Sequence, residues 1–152
     1  GTKQISPCPD QCKDGKCVGG CTKKPLYRDK DKDGFGDPKD VVQACPPVPG
    51  RVENSDDCDD DVSAVNPQQT SFFTKQTHYW YGGYDYNCDG KEEPRYTQQA
   101  ACKKQGGSCV GDGWGYGVPG CGKASAWITC VKTSSGSHPC AKSYTYGTQS
   151  CR

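Results

Sequence analysis

The chain has 152 residues, a formal net charge of +1 and only 32% hydrophobic residues, a share that includes thirteen cysteines. Leu occurs once, at Leu26, and Phe three times. An aliphatic core large enough to offset the entropy of ordering the chain is therefore excluded, and without cross-links this composition predicts disorder.

The cysteines reverse that expectation, because small extracellular domains replace missing core with disulfides worth about 2–4 kcal/mol each. The charge is layered along the chain. Residues 1–28 carry six Lys/Arg and two Asp, residues 29–61 eleven acids and four bases, and residues 97–152 six bases and one acid. Acids gathered in this way await a neutralising cation, or else the basic ends of one chain meet the acidic middle of another. The dispersed Lys and the lack of a stacking module argue against nucleic acid as a partner. No apolar twenty-residue run predicts a membrane span, and the missing signal peptide and Met suggest a mature or excised segment.

Three segments are predicted. Residues 1–24 form a Cys-rich arm, stiffened by Pro7 and Pro9 and turned by Gly15, Gly19 and Gly20. Its Cys8, Cys12, Cys17 and Cys21 have three, four and three residues between them, so a four-cysteine zinc site stands as an alternative to disulfides.

Residues 25–96 hold the acid clusters. In "YRDKDKDGFGDP" the acids alternate and then turn on a glycine. Calcium takes six to eight hard oxygens, and Asp-x-Asp-x-Asp-Gly supplies side chains at loop positions 1, 3 and 5, a sharp turn at 6 and a backbone carbonyl at 7. Those positions are Asp29, Asp31, Asp33, Gly34 and Phe35; Asp37 falls at position 9 and Asp40 at position 12. The other reading is a solvated acidic turn, weakened by the shortage of nearby bases. No amphipathic helix flanks the loop, so an EF-hand is excluded. Further on, "HYWYGGYDY" places Tyr79, Trp80, Tyr81, Tyr84 and Tyr86 within nine residues. Such a run either packs onto the calcium module or forms a platform for a protein or a carbohydrate.

Residues 97–152 form a Gly- and Cys-rich β tail. "RYTQQAACKKQG" can make one or two helical turns ended by Gly106, while "SAWITCVKTS" and "KSYTYGTQSCR" alternate as strands. Trp114, Tyr116, Trp127, Tyr144 and Tyr146 are expected to supply most of a thin core. The predicted fold class is mainly β and irregular: small disulfide-rich, calcium-stabilised modules with short antiparallel strands and little helix.

The lone acidic loop without helices resembles thrombospondin type 3 repeats. A longer resemblance runs over residues 27–90. "YRDKDKDGFGDP", "ACPPVPGRV", "NSDDCDDDVSAVNP" and "DYNCDG" follow in order and spacing the metal-binding (MopE-type) repeat of secreted bacterial surface proteins. The resemblance implies a secreted cation-binding module. It adds Asp57, Asp59 and Asp60, with Asp85, Asn87 and Asp89, as ligands of one or two calcium ions, and Asn54, Asp56 and Asp61 as further candidates. Cys45 and Cys58 are plausible bridge partners within it. The Glu-x-Cys stretch that usually follows the Asn-Pro is missing, which makes Cys88 one candidate for the odd thiol. The tail's "WITC" and terminal Cys also resemble thrombospondin type 1 repeats, though the stacked arginine layers of that fold find no match in the sequence.

Copper is disfavoured, since the chain has no Met and only His78 and His138, in unrelated segments. No nucleophile–base arrangement, phosphate loop or dinucleotide fingerprint is present, so no enzyme is expected. The resulting expectation is a secreted, calcium-binding, disulfide-stapled structural protein that self-associates into a homo-oligomer or fibre. The alternative is an adhesive or carbohydrate-binding module using segment 78–86.

Overall fold

The computed structural model describes residues 21–77, 82–134 and 139–152, together with the backbone of 12–13 and 16–17. Tyr79, Trp80 and Tyr81 of the aromatic run lie outside the described residues, as do the side chains of the arm before Cys21. Among the described residues the fold is strands and loops with no helix, as the composition predicts. The chain divides into two compact units, Gly1–Pro67 and Gln68–Arg152.

In the first unit, strands β1 (Cys12–Lys13) and β2 (Lys16–Cys17) form a two-residue antiparallel ladder. Strands β3 (Lys24–Arg28), β4 (Asp37–Ala44) and β5 (Arg51–Val52) form an antiparallel sheet in the order β4-β3-β5. Pro25 is tolerated in the middle strand because β5 pairs only with Tyr27 and Arg28, leaving that side of Pro25 without a ladder to break. Among the described residues of this unit only Leu26 and Val65 are buried apolar side chains, each 1% exposed. Cys21 is bridged to Cys45, tying the start of β3 to the end of β4. This bridge overturns two expectations: Cys45 does not pair with Cys58, and Cys21 is withdrawn from a four-cysteine zinc site.

In the second unit, β6 (Lys103–Gln105) and β7 (Ser108–Val110) make a hairpin. Strands β8 (Gly113–Trp114), β9 (Ala124–Lys132) and β10 (Cys140–Thr148) form an antiparallel sheet in the order β10-β9-β8. The helical turns predicted from "RYTQQAACKKQG" are absent. Gly106 and Gly107 both adopt positive φ, 56° and 85°, which is the two-residue hairpin turn that matches strand twist. Cys102 and Cys109 are held on either side of that turn by bridges to Cys130 and Cys140, and a third bridge joins Cys121 to Cys151. Tertiary cross-linking thus overrides a weak local helix preference.

The two long strand predictions hold. Along β9 every second residue, Ala126, Ile128 and Cys130, is buried. The aromatic core is different from the one expected. Trp114 is buried and stands edge-on to Trp127 at 5.2 Å, and Tyr96 follows at 5.0 Å from Trp127. Tyr116, Tyr144 and Tyr146 are exposed instead, because Tyr144 and Tyr146 ride on the rim strand of a narrow sheet. The aromatic file continues through arginines: Arg95 lies 5.2 Å from the Tyr96 ring and 6.0 Å from Phe72, and Arg152 lies 5.0 Å from Phe72. Arg95 and Arg152 thus bring cationic groups near the Phe72 ring from residues far apart in the chain. All ten cysteines from Cys21 onward are disulfide-bonded, Cys88 included, so Cys88 is not the odd thiol.

Candidate metal centre

The acid loop leaves β3 at Arg28 and re-enters the sheet at Asp37. Gly34 sits at φ 93°, the left-handed turn that the pattern assigns to it. Short polar side chains that accept from the backbone two residues on stabilise such turns. Asp33 N–H donates to Asp31 Oδ1 at 3.2 Å, and Phe35 N–H donates to Asp33 Oδ1 at 2.8 Å. The second acid run repeats the device, with Asp59 N–H donating to Asp57 Oδ1 at 2.8 Å.

Each of these aspartates spends one oxygen on the backbone and turns the other inward. Asp31 Oδ2, Asp33 Oδ2 and Asp57 Oδ2, together with Asp29 Oδ1, are buried without any hydrogen-bond partner. Asp57 as a whole is only 3% exposed. Two triads result, Asp29–Asp31–Asp60 and Asp31–Asp33–Asp57, with ligand oxygens in each within 4.8 Å of one another. Oxygens around a cation at 2.3–2.6 Å lie at most about 5 Å apart, so each triad has the span of one cation, and Asp31 belongs to both.

The acids repel one another where no cation neutralises them. Burial pushes Asp57 up to about 6, with Asp33, Asp31 and Asp60 adding like-charge repulsion, opposed by the Asp59 N–H. Asp31 is raised as well, by burial first and then by Asp33. A carboxylate that hydrogen bonds alone do not satisfy is what a cation relieves.

A frame of bases and amides holds the two acid runs together. Arg28 Nε donates to Asp60 Oδ2 at 2.8 Å, and Lys30 N–H donates to Asp60 Oδ1 at 2.6 Å. The Arg28 pKa is raised, chiefly by that Asp60 bond. Lys30 Nζ also pairs with Asp61. Asn54 clasps the loop from the other side: Gly36 N–H donates to its Oδ1 at 3.1 Å, and its Nδ2 donates to Gly34 O at 2.8 Å. Asp57 N–H donates to Gly36 O at 3.2 Å. Arg28, Asp37, Pro38, Lys39 and residues 57–61 line a cavity of ≈ 410 Å³ beside the cluster.

The structure thus brings Asp29, Asp31, Asp33, Asp57 and Asp60 into one place. Asp60, read as part of a second cluster, joins the first loop. Phe35 lies in the loop with its N–H on Asp33, and Asp37 lines the cavity with Oδ1 accepting from Lys39 N–H at 2.8 Å. Asp40 points elsewhere: Arg51 Nη2 donates to it at 2.7 Å, and Arg28 Nε lies 3.6 Å away. Asp59 Oδ1 accepts from Asp61 N–H at 3.4 Å.

Asp85, Asn87 and Asp89 belong to the second unit and form a turn of their own. Asp85 accepts from Asp89 N–H at 3.1 Å and Gly90 N–H at 2.8 Å, Asp89 accepts from Lys91 N–H at 2.9 Å, and Asn87 Oδ1 is buried without a partner. Of the aromatic run, Tyr86 is core: it is 5% exposed, stacks on Phe73 at 3.8 Å and donates to Lys75 O at 3.1 Å. Tyr84 is half-buried and donates to Thr74 O at 3.4 Å.

The roles of Arg28, Arg51 and Asn54 carry no spacing signal strong enough to assign from sequence, although Asn54 stands among the candidates above. No protein-family model, curated protein or solved structure matches this chain.

Proposed function

We propose that the protein is a secreted, calcium-stapled structural module of an extracellular or cell-surface assembly. The observation that carries this reading is the pair of aspartate triads, Asp29–Asp31–Asp60 and Asp31–Asp33–Asp57, each with the span of one cation, in which Asp29, Asp31, Asp33 and Asp57 each keep a buried carboxylate oxygen without a hydrogen-bond partner. The donors are hard oxygens, which suits calcium and disfavours copper and zinc. Calcium also tolerates the irregular, carboxylate-rich shell that two converging loops provide, whereas magnesium demands near-octahedral order and retains its waters. Two triads sharing Asp31 accommodate one ion or two. Disulfides throughout the described residues favour an oxidising, extracellular setting, and no helix among them is long and apolar enough to cross a membrane.

In this reading the ion has a structural role, drawing residues 29–37 onto residues 54–60. The resemblance of residues 27–90 to the MopE-type repeat points the same way. The second half of the proposal, self-association into a homo-oligomer or fibre, draws on the basic–acidic–basic charge layout and on the open sheet rim described below. The carbohydrate reading loses Tyr86, which packs into the second unit, and rests on Tyr79, Trp80 and Tyr81, which lie outside the described residues.

Isothermal titration of EDTA-treated, oxidised protein with calcium tests the metal. Saturable binding of one or two ions, with a rise in melting temperature and a weaker response to magnesium, is expected. Absence of both binding and thermal stabilisation would refute the reading.

A further inference from the structure

The sheet of the second unit has two different rims. At β8 the rim is covered: Trp114 N–H donates to Gln98 O at 3.1 Å, and Ala100 N–H donates to Trp114 O at 3.0 Å. At the other rim lies β10, nine residues long.

The direction of the β10 backbone groups follows from its neighbours. Gly115 N–H donates to Ala126 O at 2.8 Å, so the backbone of Ala126 faces β8. Backbone groups alternate along a strand. Trp127 therefore faces β10, where its register partner is Thr145. The bonds Thr133 N–H to Pro139 O and Gln149 N–H to Lys123 O, both at 3.0 Å, continue the same parity at the two ends of the hairpin. Odd-numbered residues of β10 thus bond inward, and Lys142, Tyr144, Tyr146 and Thr148 direct N–H and C=O outward, with no hydrogen bond to another described residue on that side.

Unpaired rims template further strands unless they are blunted by Pro, charge or a bulge. The rim strand β4 of the first unit carries Pro38, Lys39 and Asp40, and its pairing with β3 is bulged at Tyr27/Arg28. Strand β10 has no Pro and one charge, Lys142, and its nine register positions run without a bulge. Its two tyrosines, Tyr144 and Tyr146, are 56% and 84% exposed.

We propose that β10 is a homotypic docking edge, pairing antiparallel with β10 of a second copy about a two-fold axis at Thr145. The strand is self-complementary in this register. Tyr144 meets Tyr146 of the second copy and the reverse, two outward-bonding residues in each case, so each pair exchanges two N–H···O bonds. Aromatic cross-strand pairs are favourable, and Lys142 meets Thr148 instead of another Lys. A second copy is the occupant that the charge pattern selects: the strand offers no acid to attract a basic partner and a single base to attract an acidic one.

Two three-stranded sheets become one continuous sheet. Because the contact is two-fold it closes on itself, so it yields a dimer, and a fibre requires another contact. The inference deepens the self-association half of the proposed function and does not depend on the calcium half.

The test is sedimentation velocity of the oxidised full chain in calcium buffer, from about 10 µM to about 1 mM, a range suited to a contact at the small end of interface sizes. A concentration-dependent dimer is expected, with the Tyr144 and Tyr146 amides gaining hydrogen-exchange protection as it forms. Tyr144→Pro deletes an outward donor and spares the bonds to β9, and Tyr146→Lys adds a charge to the rim. Each should weaken dimerisation at least tenfold while circular dichroism and melting temperature stay those of the parent. A parent that is monomeric throughout overturns the docking edge and self-association together. A dimer that persists in both variants, or forms without protecting those amides, overturns the docking edge alone and assigns association to another surface. An acidic strand peptide that binds the rim where a second copy does not overturns the homotypic assignment.

Discussion

The two units meet the same shortage of apolar residues with different cross-links. Among the described residues of the first, two buried aliphatic side chains are accompanied by two buried aspartates, Asp57 and Asp60, and by the clasp of Asn54. In the second, a file of rings and arginines runs beside β8–β10, and three bridges span 28 to 31 residues each. Beside its Cys21–Cys45 bridge, the first unit concentrates acids that a cation would balance, while the second relies on its three bridges and on tilted and edge-on rings. Each should therefore fail under a stress that leaves the other standing.

The largest separation should come from chelation. If extracellular calcium exceeds the dissociation constant about 1,000-fold, removing it costs about 4 kcal/mol. Hydrogen exchange after EDTA treatment should accelerate in residues 29–60 while the β9 amides stay protected. The reciprocal change is Cys109→Ser with Cys140→Ser, which should cost the second unit about 2–4 kcal/mol by chemical denaturation and leave calcium affinity unchanged. Uniform loss across both units in either experiment would mean that they do not fold independently.

A smaller effect with two signs should come from Asp57. In the metal-free protein its pKa is raised from the ordinary carboxylate value to about 6, so the folded state holds the proton more tightly than the unfolded one. That contribution is fully present below the unfolded pKa and is lost as pH rises through about 6. Metal-free protein should therefore melt higher at pH 5 than at pH 7.5. Asp57→Asn should flatten that dependence and raise the metal-free melting temperature at pH 7.5, while abolishing most of the stabilisation by calcium. The smallest effect is expected at Tyr116, 83% exposed, where Tyr116→Ala should change stability by no more than about 0.5 kcal/mol.

What could be read from the sequence was local. Asp29, Asp31, Asp33 and Gly34 announce themselves because loop ligands and their turn are spaced by the backbone itself, and β9 shows its alternation within one strand. The partners of that loop are less legible. Asp60 reaches it from some thirty residues away, and Asn54 does so only because β5 returns beside β3. Cys21 pairs with Cys45 through sheet topology, which spacing alone does not reveal. The misread helix at residues 95–106 has its cause in Gly106–Gly107 and in bridges at Cys102 and Cys109, both beyond the reach of local propensity. Tyr144 and Tyr146 look like core in a strand pattern that cannot distinguish a rim from a centre, and Arg95 and Arg152 find their rings only once Phe72 and Tyr96 are folded beside them.

The order of the three bridges has one further consequence. Cys102, Cys109 and Cys121 pair with Cys130, Cys140 and Cys151, so every bridge crosses the stretch between Cys121 and Cys130. A protease that nicks the exposed Lys123 there would leave two pieces fastened three times over. The nicked protein should migrate as one species until a reductant is added, and a chain built in this way can lose its backbone continuity without falling apart.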